Sequence, residues 1–363
     1  MALLFTPFQL RGLRLKNRIV VSPMCQYQAE DGVANEWHFG HYAALARGGS
    51  ALVMVEATAV APEGRITRGC TGLWTDAQAE ALGRVARAIK AGGAVPGLQL
   101  GHAGRKASLM RPWESDGDTQ LRDGWQTIAP SALAAGGKMP RPPREMTLAE
   151  IAATQADFVM AAKRALEAGF EWLELHFAHG FLAQSFFAAS ANRRTDLYGG
   201  SPDRRARFLT ETLAAVRQVW PERLPLAVKF GCVEFDGHDD ARRPEVLALL
   251  QRFKALGADL LDASVGFTET GADIPWAPGM LVPVAAQMRQ ATGLAVGVSW
   301  GLEDPQLAEA VIAGGQADLV MIAKAMLANP HHPYAMALAL KEPAPAAVLP
   351  IAYGHWLNRY GAA

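Results

Sequence analysis

A helix-like segment that ends in glycine, followed within a few residues by an apolar strand-like run, recurs along this chain. The runs that follow such glycines are Ala51–Val55, Val95–Leu100, Glu171–His176, Asp259–Val265 and Ala317–Ile322. Glycine just past a helix end takes the left-handed cap conformation, and a short loop then leads the chain into a parallel strand. Further apolar runs bring the predicted strands to eight: Ile19–Ser22, Leu226–Phe230 and Ala295–Val298.

Helical patterns separate nearly all of these strands, which predicts eight βα units and therefore an α/β fold of the (β/α)₈ TIM-barrel type. The predicted helices are Glu36–Arg47, Ala77–Lys90, Thr147–Ala168, Pro202–Val219, Arg243–Ala255, Pro283–Ala291 and Pro305–Ala313. A doubly wound sheet is the alternative, but no GxGxxG motif opens a helix after the first strand. Acidic residues between the apolar ones of Glu171–His176 are typical of a half-buried strand.

Two segments do not fit the repeat, although residues 1–363 are interpreted as one barrel domain. Residues 102–145 are rich in Gly, Pro and Arg, which predicts an inserted lid or side lobe after the third strand. Residues 331–363 form a tail that is Pro-rich at first and then aromatic and basic. A tail that carries Trp usually docks, so it is expected to contact either its own barrel or a second subunit.

The composition limits the classes of function. A formal net charge of zero gives no reason to expect nucleic acid or an acidic membrane surface as partner. No uninterrupted apolar run reaches membrane-spanning length, and residues 1–18 lack a signal-peptide pattern. The three cysteines, Cys25, Cys70 and Cys232, are odd in number and far apart, which is typical of a protein of the reducing cytosol.

Two imidazoles, His176 and His179, follow each other where the fourth predicted strand ends. Neutral imidazoles can donate hydrogen bonds to one oxygen atom, and they can also bind a metal ion. A metal is not expected, because there is no HExxH motif and no carboxylate at the usual ligand spacing. An isolated pair of this kind is more often satisfied within a polar core, so its meaning depends on the residues around it.

The reactive face of a barrel is built from the carboxyl ends of its strands. The residues predicted there are Ser22 to Tyr27, Glu56 and Ala57, Gln99, His102, His176 and His179, Lys229, Trp300 and Gly301, and Ala323 and Lys324. This ring has no Ser-His-Asp arrangement, and it favours a flat, polar-edged, anionic ligand over a hydrolytic site. Lys324 near a short helix, with Gly301 after the seventh strand, resembles the usual barrel phosphate site, which suggests a flavin mononucleotide.

Several strings resemble the old yellow enzyme family, in particular the branch of xenobiotic reductase A and the thermophilic-type ene-reductases. They are KNRIVVSPMCQY, VEATAVAPEGR, QLGHAGRK, ELHFAHGFLAQSF, NRRTDLYGGS and YGHWLNRY, and the resemblance covers nearly the whole chain. It implies an FMN-dependent NAD(P)H oxidoreductase on a (β/α)₈ barrel. Such enzymes reduce the C=C bond of α,β-unsaturated carbonyl compounds, and some also reduce nitro groups.

The resemblance also implies roles for individual residues. The residues implied along the flavin ring are Ser22, Pro23, Met24, Cys25 and Trp300. Those implied at its pyrimidine edge are Ala57, Gln99 and Lys229. Those implied at its phosphate are Gly301, Ala323 and Lys324. Cys25 is expected to tune the flavin, and Lys229 to lie near its N1 and O2. His176 and His179 are expected to bind the substrate carbonyl oxygen, in a pocket completed by Tyr27, Phe181, Trp300 and Trp356.

Three positions depart from the family pattern. Lys229 and Lys324 stand where arginine is usual, and lysine keeps the charge but loses the planar fork that binds bidentately. Phe181 stands where the family has the tyrosine that protonates the substrate α-carbon. Tyr27, or water, is therefore the predicted proton source.

Three further expectations concern assembly and alternatives. A homodimer or higher even oligomer is predicted, in which Trp356 or Arg359 reaches a neighbour's active site. A flavin-binding redox sensor that uses Cys25 is one alternative to an ene-reductase, and a metal-dependent barrel lyase that uses His176 and His179 is another. The sequence does not distinguish NADH from NADPH as reductant.

Overall fold

A computed structural model, which describes residues 1–115 and 119–360, shows eight parallel strands closed into a barrel. The last strand pairs with the first, with Val320 opposite Ile19, so the predicted (β/α)₈ barrel is confirmed. The strands are β1 (Ile19–Val21), β2 (Leu52–Ala59), β3 (Val95–Gly101), β4 (Trp172–Phe177), β5 (Leu226–Val233), β6 (Leu260–Val265), β7 (Ala295–Val298) and β8 (Leu319–Ile322).

Helices follow the strands and surround the barrel. They are α1 (Glu36–Arg47), α2 (Asp76–Ala91), α3 (Leu148–Glu167), α4 (Arg207–Val219), α5 (Asp239–Ala255), α6 (Val282–Thr292), α7 (Pro305–Ala313) and α8 (Lys324–Ala328). Side chains fix where several of them begin: Asn35, Thr75 and Thr147 each accept a backbone N–H in a capping box.

Two predicted helices are wrong, one because it is divided and one because it begins earlier than predicted. The segment Pro202–Val219 forms two helices, Pro202–Arg205 and α4, which are separated only at Ala206. Helix α5 begins at Asp239 rather than Arg243, because the Asp239 carboxylate accepts the N–H groups of Glu234 and Phe235 and so anchors an earlier first turn. The proline at position 244 therefore lies inside the helix rather than at its start.

Strand β4 is fully buried, so the prediction of a half-buried strand is wrong. In a barrel the outer face of each strand is covered by helices and the inner face by opposite strands, which buries both. Glu174 is thereby buried inside the barrel. Glu174 thus indicates a polar barrel interior and not a solvent-facing side, whereas Glu171 precedes the strand and pairs with the exposed Lys90.

The amino end of the barrel is closed by an antiparallel pair of short strands, Phe8–Leu10 and Leu13–Leu15. Their apolar side chains pack against a layer of barrel residues: Val20, Leu52, Met54, Trp172, Ala227, Leu260, Leu319 and Met321. The polar residues of the predicted site all belong to the opposite, carboxyl end.

The insertion and the tail contain short elements of their own. After β3 come a 3₁₀ turn, Gly104–Lys106, and two paired strands, Ile128–Ala129 and Arg144–Glu145. The tail forms the helices His332–Ala339 and Ile351–Tyr360, and a further short helix, Leu182–Phe187, follows β4. Within the described residues, no helix has the length and apolar character needed to cross a membrane.

Candidate active site

The predicted histidine pair lies at the carboxyl end of β4. The rings of His176 and His179 are 4.7 Å apart between centroids, at an interplanar angle of 80°. His176 Nδ1 accepts the N–H of Ala178 at 3.3 Å, which leaves Nε2 to carry the ring hydrogen. His179 Nε2 lies 2.8 Å from Ser264 Oγ on β6, which fixes the orientation of the second ring.

Both imidazoles are neutral. Burial lowers their pKa values well below the usual range for histidine, and the positive charges of Lys229 and Lys106 lower them further. A neutral imidazole donates one hydrogen bond, so the pair can present two N–H donors to a single ligand oxygen. This arrangement suits an oxygen that gains negative charge during a reaction.

Phe181 packs against this pair. Its ring centroid lies 4.9 Å from that of His176 and 6.2 Å from that of His179. A phenyl ring at this position contributes apolar surface and has no proton to donate. The structure therefore brings Phe181 into the predicted substrate site without supplying an acid there.

Gln99 and Lys229 point into the barrel and are each held by a buried carboxyl group. Gln99 Nε2 donates to Glu174 Oε1 at 2.7 Å, and Lys229 Nζ donates to Asp262 Oδ2 at 2.7 Å. Because Glu174 holds the amide N–H, the Gln99 oxygen is left to accept from a ligand. Lys229 is not a surface cation, since only 4% of the residue is exposed.

The two carboxyl groups resist ionisation. Burial raises the pKa of Glu174 to about 8, and the neighbouring Asp262 adds to that rise. One oxygen of each, Glu174 Oε2 and Asp262 Oδ1, finds no hydrogen-bond partner within residues 1–115 and 119–360. Sequence analysis missed both residues, although Glu174 stands two positions before His176 and therefore on the same face of β4.

The loop from Ser22 to Tyr27 lies over the buried carboxylate of Glu56. Glu56 Oε2 accepts the N–H of Gln26 at 2.9 Å, and Oε1 accepts the hydroxyl of Tyr42 at 3.2 Å. The Tyr27 hydroxyl hydrogen bonds to the Cys25 sulfur. Burial raises the pKa of Cys25 and the pKa of Tyr27 well above their usual ranges, so both side chains stay protonated at neutral pH.

The predicted phosphate residues meet at the ends of β7 and β8. Gly301 has φ of +69°, and a Cβ there would lie 2.5 Å from Pro278 Cα, so only glycine fits this close approach. Ser299 Oγ is buried without a partner in the described part of the chain. Lys324 is exposed at the first position of α8, directly after Ala323. An unsatisfied hydroxyl, a close backbone approach and an exposed cation together fit a phosphate group.

An aromatic wall on the loop after β6 was not predicted. The Trp276 and Trp300 rings are 5.0 Å apart, the Phe267 and Trp276 rings are stacked at 6.3 Å, and Phe267 lies 5.5 Å from His179. Trp300 was predicted for the site, whereas Phe267 and Trp276 were missed. The aromatic residues in the long segment between β6 and α6 could have indicated that this segment contributes to the site.

The structure does not bring Trp356 into the site of its own chain. This residue is 68% exposed on the helix Ile351–Tyr360. Its ring contacts are with His355 and Arg359 of the same helix. The role predicted for it in the substrate pocket would therefore need a neighbouring subunit.

Comparison with known proteins agrees with this geometry. The family model described as "NADH:flavin oxidoreductase / NADH oxidase family" matches residues 3–341. This chain belongs to that family. It is the old yellow enzyme family that the sequence motifs resemble. The match spans all eight barrel strands and every residue predicted for the site except Trp356.

Relatives of known name cover nearly the whole chain. The chain is 41% identical over 341 residues to an NADPH dehydrogenase of Geobacillus sp. (strain WCH70), covering 93% of this chain and 94% of that protein. It is 40% identical over 347 residues to an NADPH dehydrogenase of Geobacillus thermodenitrificans, and this match covers 94% of this chain and 96% of that protein. Among solved structures, morphinone reductase superposes with a TM-score of 0.78 at 30% identity, covering 93% of this chain and 90% of that one.

Membership of the NADH:flavin oxidoreductase family makes this protein a flavin-dependent oxidoreductase of the NADPH dehydrogenase type. Its cofactors are FMN and a nicotinamide reductant. The residues present fit FMN: the Gln99 oxygen and Lys229 ammonium suit a flavin pyrimidine edge, and the cradle around Gly301 and Lys324 suits its phosphate. When bound, FMN supplies the hydride chemistry.

The two alternative functions lose support. A redox sensor needs a cysteine of lowered pKa, whereas burial raises the pKa of Cys25. For the lyase, the described residues contain no group of three or more His, Cys, Asp or Glu side chains placed to hold a metal ion. All three cysteines are free.

Proposed function

We propose that this flavin oxidoreductase reduces the C=C bond of α,β-unsaturated carbonyl compounds. The observation that carries the proposal is the pair of adjacent, neutral imidazoles, His176 buried and His179 half-buried, at the carboxyl end of β4. Addition of hydride to the β-carbon moves the π electrons onto the carbonyl oxygen. Two preplaced N–H donors stabilise that oxygen as its negative charge develops.

The remaining side chains have supporting roles in this proposal. Ser22, Pro23, Met24, Cys25 and Trp300 would line the ring of FMN, and Ala57, Gln99 and Lys229 would bind its pyrimidine edge. Gly301, Ala323 and Lys324 would bind the phosphate. Tyr27, Phe181 and Trp300 would line the substrate pocket, and nitro compounds, whose oxygens resemble a carbonyl oxygen, are a second substrate class.

The test uses the purified protein as isolated. We expect it to be yellow, to release noncovalent FMN on denaturation, and to oxidise NADPH faster when 2-cyclohexenone is added. Product analysis should show cyclohexanone. A yellow protein that oxidises NADPH with oxygen alone, and leaves the enone intact, would contradict the ene-reductase proposal while keeping the family assignment.

We also infer a homodimer or higher even oligomer of a cytoplasmic protein. Four large aromatic or apolar residues of the last helix are exposed: Ile351, Tyr353, Trp356 and Tyr360 at 89%, 37%, 68% and 83%. Such a surface at a chain end is typical of an interface. Deleting residues 352–363 should lower the mass measured by light scattering and weaken substrate affinity. An unchanged mass with unchanged kinetics would contradict the inference.

A further inference from the structure

Lys106 connects three loops above the barrel. It ends the 3₁₀ turn Gly104–Lys106 after β3. Its ammonium donates to the carbonyl oxygen of His179 at 2.8 Å and to that of Phe267 at 2.6 Å. Among residues 1–115 and 119–360 it forms no other hydrogen bond and no ion pair, so one of its three N–H groups remains available for a ligand.

The ammonium lies beside the histidine site. Its charge is close enough to contribute to the lowered pKa values of both His176 and His179. The two carbonyl groups that it binds belong to residues whose rings are 5.5 Å apart and flank the site. Lys106 itself is half-buried, so its side chain is partly accessible.

That space needs an acid, because the enolate left by hydride addition must gain a proton on its α-carbon. Phe181 cannot supply one. Tyr27 is a weak candidate, since burial, and after it the neighbouring Cys25 and Cys70, raise its pKa far above the usual range. Burial lowers the pKa of Lys106 to about 8, an effect that Arg105 reinforces and that Glu234 and Glu269 oppose. An acid with a pKa near the working pH is the most effective donor.

We propose that Lys106 is a catalytic residue that protonates the substrate α-carbon in place of the tyrosine that Phe181 replaces. The proposal rests on the ene-reductase function proposed above. In this step the electron pair of the enolate forms the new Cα–H bond while one N–H bond of the ammonium breaks. The carbonyl C=O is restored, and the neutral amine of Lys106 regains a proton from water, so no further redox partner is needed.

A nitroalkene separates protonation from hydride transfer. Reduction of 1-nitrocyclohexene first gives a nitronate, which absorbs in the ultraviolet and takes up a proton on carbon slowly in water. Lys106→Arg keeps the positive charge and N–H donors for both carbonyl groups, but guanidinium does not release its proton at neutral pH. We expect flavin reoxidation within about threefold of the parental rate and a loss of nitroalkane formation of about 10²-fold, with nitronate released instead.

Two matched variants complete the test, with the visible spectrum of bound FMN as a check on folding. Lys106→Arg combined with Phe181→Tyr should restore nitroalkane formation, because the phenol returns an acid. Because Tyr27 would line the substrate pocket, Tyr27→Phe can change the rate of reduction, but its product should still be nitroalkane rather than nitronate. The parental yield of nitroalkane should fall as pH rises through about 8, where the Lys106 ammonium loses its proton.

Three outcomes would overturn the proposal. Nitroalkane release by Lys106→Arg at the parental level would show that Lys106 is not the acid. Nitronate release by Tyr27→Phe would assign the role to Tyr27. Equal slowing of flavin reoxidation and of nitroalkane formation in Lys106→Arg would indicate a positioning role only. If the parental protein reduces neither the nitroalkene nor 2-cyclohexenone, the ene-reductase function itself fails and this inference with it.

Discussion

The two ends of this barrel are made from the same eight strands, and they differ in what they bury. At the amino end the layer beneath the short strands Phe8–Leu10 and Leu13–Leu15 is apolar apart from the indole nitrogen of Trp172, which has no hydrogen-bond partner within the described residues. At the carboxyl end, a few residues along the same strands, Gln99, Glu174 and Lys229 are buried with polar atoms in the interior.

This difference in buried polarity means that the amino end contributes mainly to stability and the carboxyl end mainly to chemistry. A buried polar atom without a partner destabilises a protein by about 1–3 kcal/mol, and the carboxyl end retains such atoms on Glu174, Asp262 and Ser299. The apolar layer at the amino end offsets this loss of stability, because it buries apolar surface in a region where no ligand needs to bind. Each prediction below tests whether a change at one end leaves the other end intact.

The largest effect is expected at the amino end. Trp172 is fully buried at the start of β4, and Trp172→Ala should lower the free energy of unfolding by about 3–5 kcal/mol, because it removes a large side chain and leaves a cavity. Urea unfolding monitored by circular dichroism measures this. Trp37→Ala, at a residue 56% exposed, is the matched control and should change stability by about 0.5 kcal/mol or less. A folded Trp172→Ala protein with weakened FMN affinity would show that the two ends are coupled.

At the carboxyl end, His176→Ala or His179→Ala should slow flavin reoxidation by an enone about 10²–10³-fold, the usual effect of removing one donor to a developing oxyanion. Stopped-flow absorbance measures this step, and urea unfolding should show near-parental stability. His238→Ala, at an exposed histidine before α5, serves as the control. Parental reoxidation rates in both single variants would remove the carbonyl-binding role.

A smaller effect is expected at the phosphate cradle. Lys324→Ala should weaken FMN binding by about 1.5–3 kcal/mol, the worth of one charge-assisted hydrogen bond. Equilibrium titration of apoprotein with FMN, followed by flavin fluorescence, gives the dissociation constant. Lys163→Ala, on the exposed face of α3, should leave it unchanged. Equal affinities for the two variants would place the phosphate elsewhere.

The smallest effect concerns pH. The pKa of Glu174 is raised from 4.5 to about 8 in the folded chain, so the folded protein holds a proton there that the unfolded chain has released. The stability of the apoprotein should therefore fall as pH rises between these values, by at most about 1.4 kcal/mol per pH unit from this group. Unfolding at pH 5.5 and 7.5 measures the fall, and Glu174→Gln should flatten it. An unchanged slope in the variant would mean that Glu174 is already ionised.

The barrel itself was predictable because its signals are local. A glycine after each of several helices and an apolar run beyond it mark most of the βα joints, and the strand Ala295–Val298 and the helix Glu36–Arg47 match the prediction at both ends. The histidine pair was equally accessible, since it follows a strand directly. Its neutrality was not, because that depends on burial and on charges from distant segments.

Three of the residues that were missed, Lys106, Phe267 and Trp276, reach the site from segments between the strands and helices rather than from strand ends. Lys106 follows β3 and Phe267 follows β6, 161 residues later in the chain, and nothing local to either indicates that they meet. The paired strands that close the amino end lie in the first 15 residues, where no periodic pattern is long enough to identify them. Glu174 and Asp262 could have been found, since each stands two residues before a side chain that contacts the histidine site.

Closure of the barrel has a consequence for how the chain acquires its fold. Strand β1 is three residues long, and one of its neighbours, β8, pairs with it through Val320 opposite Ile19. In a newly made chain, one edge of β1 therefore stays unpaired until β8 has been made, after nearly all the helices. Contacts between segments so far apart in sequence form slowly. A circular permutant that opens an exposed loop between β4 and β5 would bring β8 and β1 together early, and its refolding rate would report how far this final pairing limits assembly.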